Sequence, residues 1–146
     1  MYNSDNLMDC LLGVIFNKQT KIIMDSKFYV SLEAARLLKE KGYNNYSIVY
    51  DCSVEGDILL NQRPIYGEWA GDKDVYPCPT KAEAIDWLES KGMLIEISID
   101  IDECAWIFNI VDKEKFITIG HPKDGEFFTD RLEAEEAAII KALELL

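Results

Sequence analysis

Three segments of the chain carry apolar residues at the three- and four-residue spacing of an amphipathic helix. They are residues 32–41, residues 81–91 and the C-terminal segment that begins at Thr129 or Asp130. Ser31, Thr80 and Asp130 each carry a side-chain oxygen that accepts a backbone N–H well at a helix N-terminus. Gly42 and Gly92 stand where the first two segments stop, which is typical of helix C-termini. The pattern therefore predicts three helices.

Other segments predict β-strands. In residues 95–101 isoleucines alternate with polar residues, which indicates a strand with one buried face. Residues 46–52 are β-branched and aromatic, and the turn sequence Glu55-Gly56-Asp57 separates them from the apolar residues Ile58–Leu60, so a hairpin is expected. Two more strands are predicted to continue residues 95–101 as an antiparallel meander, at Ala105–Val111 and Lys115–Ile119.

The order of these elements predicts the fold class. Its C-terminal half reads helix, three strands, helix, which favours a two-layer α+β sandwich with helices packed on one antiparallel sheet. A chain of 146 residues is expected to build one core, so residues 24–146 are predicted to form a single domain. Residues 1–23 are predicted to be an N-terminal extension, either a helix or a strand.

The composition changes between Arg63 and Pro79, where proline, glycine and aromatic residues follow one another. Such a composition predicts a long loop without a regular element of any length. Tyr66, Trp69 and Tyr76 lie in this loop, where they either fold back onto the domain or form a contact surface for a partner protein.

Charge narrows the classes of partner. The chain has 15 Lys and Arg against 27 Asp and Glu, a net charge of −12. We expect neither direct nucleic-acid binding nor attraction to anionic lipid, because both need a basic surface. No apolar run is long enough to span a membrane, no signal peptide is evident, and four widely spaced cysteines suit a reducing cytoplasm. The oligomeric state stays open.

Two groups of residues are candidates for catalysis or metal binding. Cys78, between two prolines, is a candidate exposed thiol, and His121 is the only histidine available to activate it. Glu96, Asp100, Asp102 and Glu103 cluster at the end of the alternating strand, where they either hold a hard cation or form a solvated strand face. A single histidine and unpaired cysteines disfavour a zinc site, and without a phosphate-binding glycine loop no cofactor is expected.

Several stretches together resemble a group of phage and gut-bacterial proteins of unknown function, from about residue 24 to the end. They are Lys27–Tyr43, Tyr50-Asp51, Tyr76–Thr80, Trp87-Leu88, Trp106, Thr129, Glu133-Ala134 and Ala142-Leu143. Residues 1–23 and about 55–75 depart from that pattern. Because the group has no assigned activity, the resemblance implies no catalytic residue.

These observations favour a small non-enzymatic protein of phage or mobile-element origin. It would bind another protein through the loop from Arg63 to Pro79, which we call the aromatic loop, or through the open face of the sheet. Its acidic surface suits a basic partner. Two alternatives remain open. One is a small hydrolase or transferase that uses Cys78 with His121, or a carboxylate-bound metal. The other is an acidic mimic of nucleic acid, in which carboxylates stand in for phosphates.

Overall fold

The computed structural model describes residues 26–52, 59–62 and 73–146, and of residues 59–62 it describes the backbone. Contacts divide the chain into two compact units, and the division falls between Pro79 and Thr80. The predicted extension, residues 1–23, lies outside the described residues. That residues 24–146 form a single domain stays a prediction.

Within its described residues, the first unit contains one α-helix and one sheet. Its elements are a 3₁₀ turn at Ser26–Phe28, helix α1 at Leu32–Glu40, and strands β1 at Ile48–Asp51, β2 at Leu59–Gln62 and β3 at Val75–Pro77. The sheet is antiparallel with the order β2-β1-β3, so the predicted hairpin of β1 and β2 is confirmed. Helix α1 begins after Ser31, whose Oγ accepts the backbone N–H of Ala34 at 3.2 Å. It buries Ala34, Ala35 and Leu38.

Strand β3 differs from the prediction of an unbroken loop up to Pro79. Tyr76 pairs with Tyr50 of β1, and the N–H of Cys78 donates to the carbonyl of Ile48 at 2.8 Å. The several prolines in this segment argued against a strand, because proline has no N–H to donate. Since β3 lies at the sheet edge and Pro77 is its last residue, that missing donor is tolerated.

The second unit has the predicted helix, three strands, helix order. Its elements are α2 at Lys81–Ser90, β4 at Met93–Asp100, β5 at Ala105–Asp112, β6 at Ile117–Gly120 and α3 at Arg131–Leu145. The strands form an antiparallel meander with the order β4-β5-β6. Both helices contact this sheet and each other, so the second unit has two helices layered on an antiparallel sheet, and the fold class of the protein is α+β.

Both helices of this unit begin at the predicted caps. The Thr80 hydroxyl oxygen accepts the backbone N–H of Glu83 at 3.1 Å, and the same hydroxyl lies 3.0 Å from the Glu83 carboxylate. One carboxylate oxygen of Asp130 accepts the N–H groups of Leu132 and Glu133, at 2.6 and 3.2 Å. Each cap satisfies helix N–H groups that have no carbonyl partner within the helix.

The core of the second unit lies between the helices and one face of the sheet. Phe108 and Ile110 of β5 are buried on this face, where the paired residues are Ile97 and Ile95 of β4. Fully buried helix residues complete it: Ala84, Leu88, Ala134, Ala138, Ile139, Ala142 and Leu143. The buried alanines of α3, Ala134, Ala138 and Ala142, recur every fourth residue and therefore lie on one face of the helix.

The two edges of this sheet are unequal. Strand β4 has eight residues and pairs with β5 in unbroken register. Strand β6 has four residues, and its pairing with β5 contains a register shift between Ile110 and Val111.

Among the described helices, none combines the length and apolar composition needed to cross a membrane.

Candidate functional site

Of the three aromatic residues predicted to contact a partner, Tyr76 alone is described, because Tyr66 and Trp69 lie outside the described residues. The guanidinium of Arg36 lies 5.5 Å from the centre of the Tyr76 ring, and Lys39 Nζ lies 5.0 Å from it. Lys39 Nζ also donates to the carbonyl of Val75 at 2.7 Å. The half-buried Tyr76 ring is thus in contact with cations of its own unit, and its role in binding a partner stays a prediction.

Cys78 is not the exposed thiol that the sequence suggested. It is fully buried, and its thiol donates to the carbonyl of Val30 at an S···O distance of 3.8 Å. The Tyr50 hydroxyl donates to the same carbonyl at 2.6 Å. The flanking prolines indicated a surface loop, but Pro77 ends a strand and is itself buried, so the next residue is directed into the core.

His121 lies in the second unit, on an exposed segment after β6, with Nδ1 2.7 Å from the carbonyl oxygen of Pro122. The proposed pairing of Cys78 with His121 stays a prediction.

Cys52 is the other described thiol of the first unit. Burial raises its pKa, nearby Arg36 opposes this, and Asp51 and Asp74 raise it further. A raised pKa keeps the thiol protonated and weakly nucleophilic.

The four clustered carboxylates fall into two pairs. Glu96 and Asp100 share the face of β4 away from the helices, and Asp102 and Glu103 lie in the following turn. An Asp100 carboxylate oxygen accepts the N–H of Glu103 at 3.1 Å, which stabilises the turn. Across the ranges that the structure describes, no group of three or more His, Cys, Asp or Glu residues could hold a metal ion.

Large apolar side chains are exposed where β4 meets β5, a region that we call the β4–β5 tip and define as residues 99–106. Ile99 is 56% exposed and Ile101 is 83% exposed. The sequence pattern predicted that both belong to the buried face of the strand. Burial instead declines along this face of β4, from a buried Met93 through partly buried Ile95 and Ile97 to an exposed Ile99, so the cover over the face ends before the tip.

The base of this tip is tied to the rest of the unit. Ile99 pairs with Trp106, and Trp106 exchanges two backbone hydrogen bonds with Phe128, of 2.8 and 3.0 Å. The Phe128 ring lies 6.0 Å from the ring of buried Phe108. The neighbouring Phe127 is 42% exposed. Backbone pairing and ring contacts therefore connect the exposed Ile99 to the core, through Trp106, Phe128 and Phe108.

The stretch of sequence that contains the tip has charge of one sign. Residues 93–112 contain five carboxylates and neither lysine nor arginine. Asp100, Asp102 and Glu103 lie in the tip itself, Glu96 lies along β4, and Asp112 lies at the opposite end of β5. Sequence reasoning noted the acids but missed the exposed isoleucines between them. The available signal was Ile101, which has an aspartate on either side, an unusual setting for a core residue.

Comparison with protein-family models, with curated proteins and with solved structures gives no match to this chain. The resemblance to phage and gut-bacterial proteins therefore stays a prediction, and the site is interpreted from its own geometry and charge.

Proposed function

We propose that this chain is a non-enzymatic binding protein of the cytoplasm, and that it docks a basic partner protein at the β4–β5 tip. One observation carries the proposal: Ile99 and Ile101 are exposed within a stretch of 20 residues, 93–112, that holds acids and no cation. Exposed aliphatic side chains with a rim of like charge are typical of a surface that another molecule covers.

The two properties of this surface have separate roles in binding. Covering the isoleucines removes apolar area from water, at about 25 cal/mol per Å², and provides affinity. The carboxylates attract a basic partner over a distance of about 10 Å at ordinary salt and speed its association. A partner that presents apolar side chains among lysines and arginines satisfies both.

The two described thiols of the first unit favour binding over catalysis. Cys78 is buried against the Val30 carbonyl, and burial raises the pKa of Cys52. The described cysteines, Cys52, Cys78 and Cys104, are all free, which supports a reducing compartment such as the cytoplasm. A phage or mobile-element origin rests on the sequence resemblance, and a second contact through Tyr66, Trp69 and Tyr76 rests on the composition of the aromatic loop.

Affinity capture with a matched pair of double variants tests the proposal. Ile99→Ser with Ile101→Ser removes the apolar tip, and Phe116→Ser with Ile117→Ser removes exposed apolar side chains from the other end of the same sheet. We expect a basic protein to be recovered by the native chain and by the second variant, and to be lost from the first. Quantitative mass spectrometry measures the ratio, and thermal unfolding checks that both variants fold.

Absence of any protein that the native chain enriches over the tip variant would contradict the proposal. Equal loss from both variants would contradict it as well, because binding would then not depend on the tip.

A further inference from the structure

We propose that the partner binds as an added β-strand: an extended segment, alternately apolar and basic, pairs with the outer edge of β4. This inference rests on the proposed function and specifies how the partner is held. It depends on three features of β4: an outer edge with which no described strand pairs, the division of its two faces, and its charge.

The outer edge of β4 offers backbone groups for pairing. In the order β4-β5-β6, β4 has one neighbour, and no strand in the described ranges pairs with its other side. Along such an edge every second residue directs its N–H and C=O outward, and an incoming strand can bond to them. At eight residues, β4 is longer than the usual strand of about 5–6 residues, so its edge is a long template.

The two faces of β4 specify the pattern of the added strand. Ile97 and Ile99 lie on the helix-covered face, and Glu96 and Asp100 lie on the opposite face. Side chains of paired residues lie side by side on the same face of a sheet. An added strand would therefore place every second side chain beside isoleucines and the intervening ones beside carboxylates. Valine or isoleucine alternating with lysine or arginine fits both faces.

The charge of β4 is unusual for an exposed edge. Proteins commonly protect edge strands from unwanted pairing with lysine, proline or a bulge. In β4 there is no lysine, arginine or proline, its pairing with β5 is regular, and both of its charges are negative. These carboxylates repel acidic strands and attract basic ones, so the edge discriminates between partners instead of being closed to all of them.

Charge also decides against a second copy of this chain as the occupant. Two molecules of net charge −12 repel each other, and pairing β4 with β4 would bring Glu96 and Asp100 of each copy near those of the other. The opposite edge of the sheet is a poorer template, because β6 has four residues and an irregular register with β5.

A defined peptide tests the inference without knowledge of the natural partner. The probe has the length of β4, eight residues, with valine and lysine in alternation. One control peptide has the same composition in two blocks, and the other replaces lysine with glutamate. We expect the alternating lysine peptide to bind the full chain most tightly and to slow hydrogen exchange of the β4 amides.

Two lysine variants locate the site. Ile99→Lys introduces a cation into the β4 edge, and Ile117→Lys is its matched control, because Ile117 is 52% exposed on the β6 edge. We expect the first to weaken peptide binding about tenfold, since the new cation repels the lysines of the probe, and the second to change it less than about twofold. Titration by anisotropy gives the affinities, and thermal unfolding confirms that both variants fold.

Several results would overturn strand addition. They are equal binding of the alternating and block peptides, protection of amides outside β4, equal effects of the two lysine variants, and failure of the probe to bind. A concentration-dependent dimer with protected β4 amides would assign the edge to a second copy. The proposed function survives each of these results as long as the native chain still captures a partner that the tip variant loses. The proposed function itself is contradicted only if the native chain captures no such partner.

Discussion

The two ends of the second sheet expose apolar side chains to a similar degree and differ in almost everything else. At the β4–β5 tip, the exposed isoleucines stand among three carboxylates, Asp100, Asp102 and Glu103, without a cation. At the β5–β6 turn, residues 112–117, Phe116 is 76% exposed beside two carboxylates and two lysines. Lys113 also lies 3.6 Å from a Glu89 carboxylate.

This comparison separates an exposed apolar residue from an interaction surface. Single exposed apolar side chains are common on proteins and need no special explanation. What distinguishes the tip is that its exposed side chains coincide with one sign of charge and with the end of a long, regular edge strand. The β5–β6 turn has mixed charge and adjoins a short strand, so we expect it to tolerate substitution.

The largest effect is expected from removing the support beneath the tip. Phe108→Ala leaves a cavity against Phe128 and should lower the free energy of unfolding by about 3–5 kcal/mol. Phe116→Ala is the matched control, and its exposed ring should contribute less than about 0.5 kcal/mol. Urea unfolding of both variants measures the difference, and similar losses would mean that the two ends are equally packed.

A smaller effect is expected from a feature that both ends share. Cys104 and Phe116 close their turns with φ angles of 51° and 54°, in the left-handed region that side chains with a Cβ disfavour. Cys104→Gly and Phe116→Gly should therefore each raise the free energy of unfolding by up to about 1 kcal/mol. Lower stability in either variant would show that the side chain contributes contacts that outweigh the backbone strain.

Reversal of single charges should affect the two ends in opposite directions. Asp102→Lys relieves repulsion among the tip carboxylates and should stabilise the protein by about 0.5 kcal/mol or less, whereas Lys113→Glu removes the contact with Glu89 and should destabilise it by a similar amount. Thermal unfolding at low and at high salt measures both. Differences that persist at high salt would not be electrostatic.

The smallest effect concerns acid and the β5–β6 turn. Asp112 accepts the N–H groups of Lys115 and Glu114, at 3.0 and 2.9 Å, and these bonds lower its pKa from the ordinary 3.8. The stabilisation is complete above that ordinary value and is lost as the pH falls through the lowered pKa of the folded state. Asp112→Asn should flatten the stability profile below about pH 4. An unchanged profile would contradict this contribution.

The helices and the meander of the second unit could be predicted because their signals are local. Ser31, Thr80 and Asp130 cap the helices where expected, and alternation along β4 identifies the strand. The predicted start of β6 at Lys115 was two residues early, because the left-handed backbone of Phe116 delays the strand to Ile117. A side-chain pattern does not report such a backbone turn.

The candidate site was harder to predict because it depends on where neighbouring elements end. Alternation identifies the face on which Ile99 lies but not how far the helices extend over that face. Likewise, Arg36 and Lys39 are three residues apart on α1, and both contact Tyr76 because β3 lies against this helix, which the sequence does not reveal. The prediction that Cys78 is exposed was wrong for the same reason: the composition around Pro77 indicated a loop, whereas Pro77 ends strand β3.

The register shift between β5 and β6 has a consequence for assembly size. A sheet with two equally receptive edges can grow from both, and repeated addition leads to open-ended fibres. Here β6 is short and irregularly paired with β5, so it is a poor template, and copies of the chain joined through β4 would not be extended further through β6. The inequality of the two edges therefore disfavours open-ended assembly of this chain.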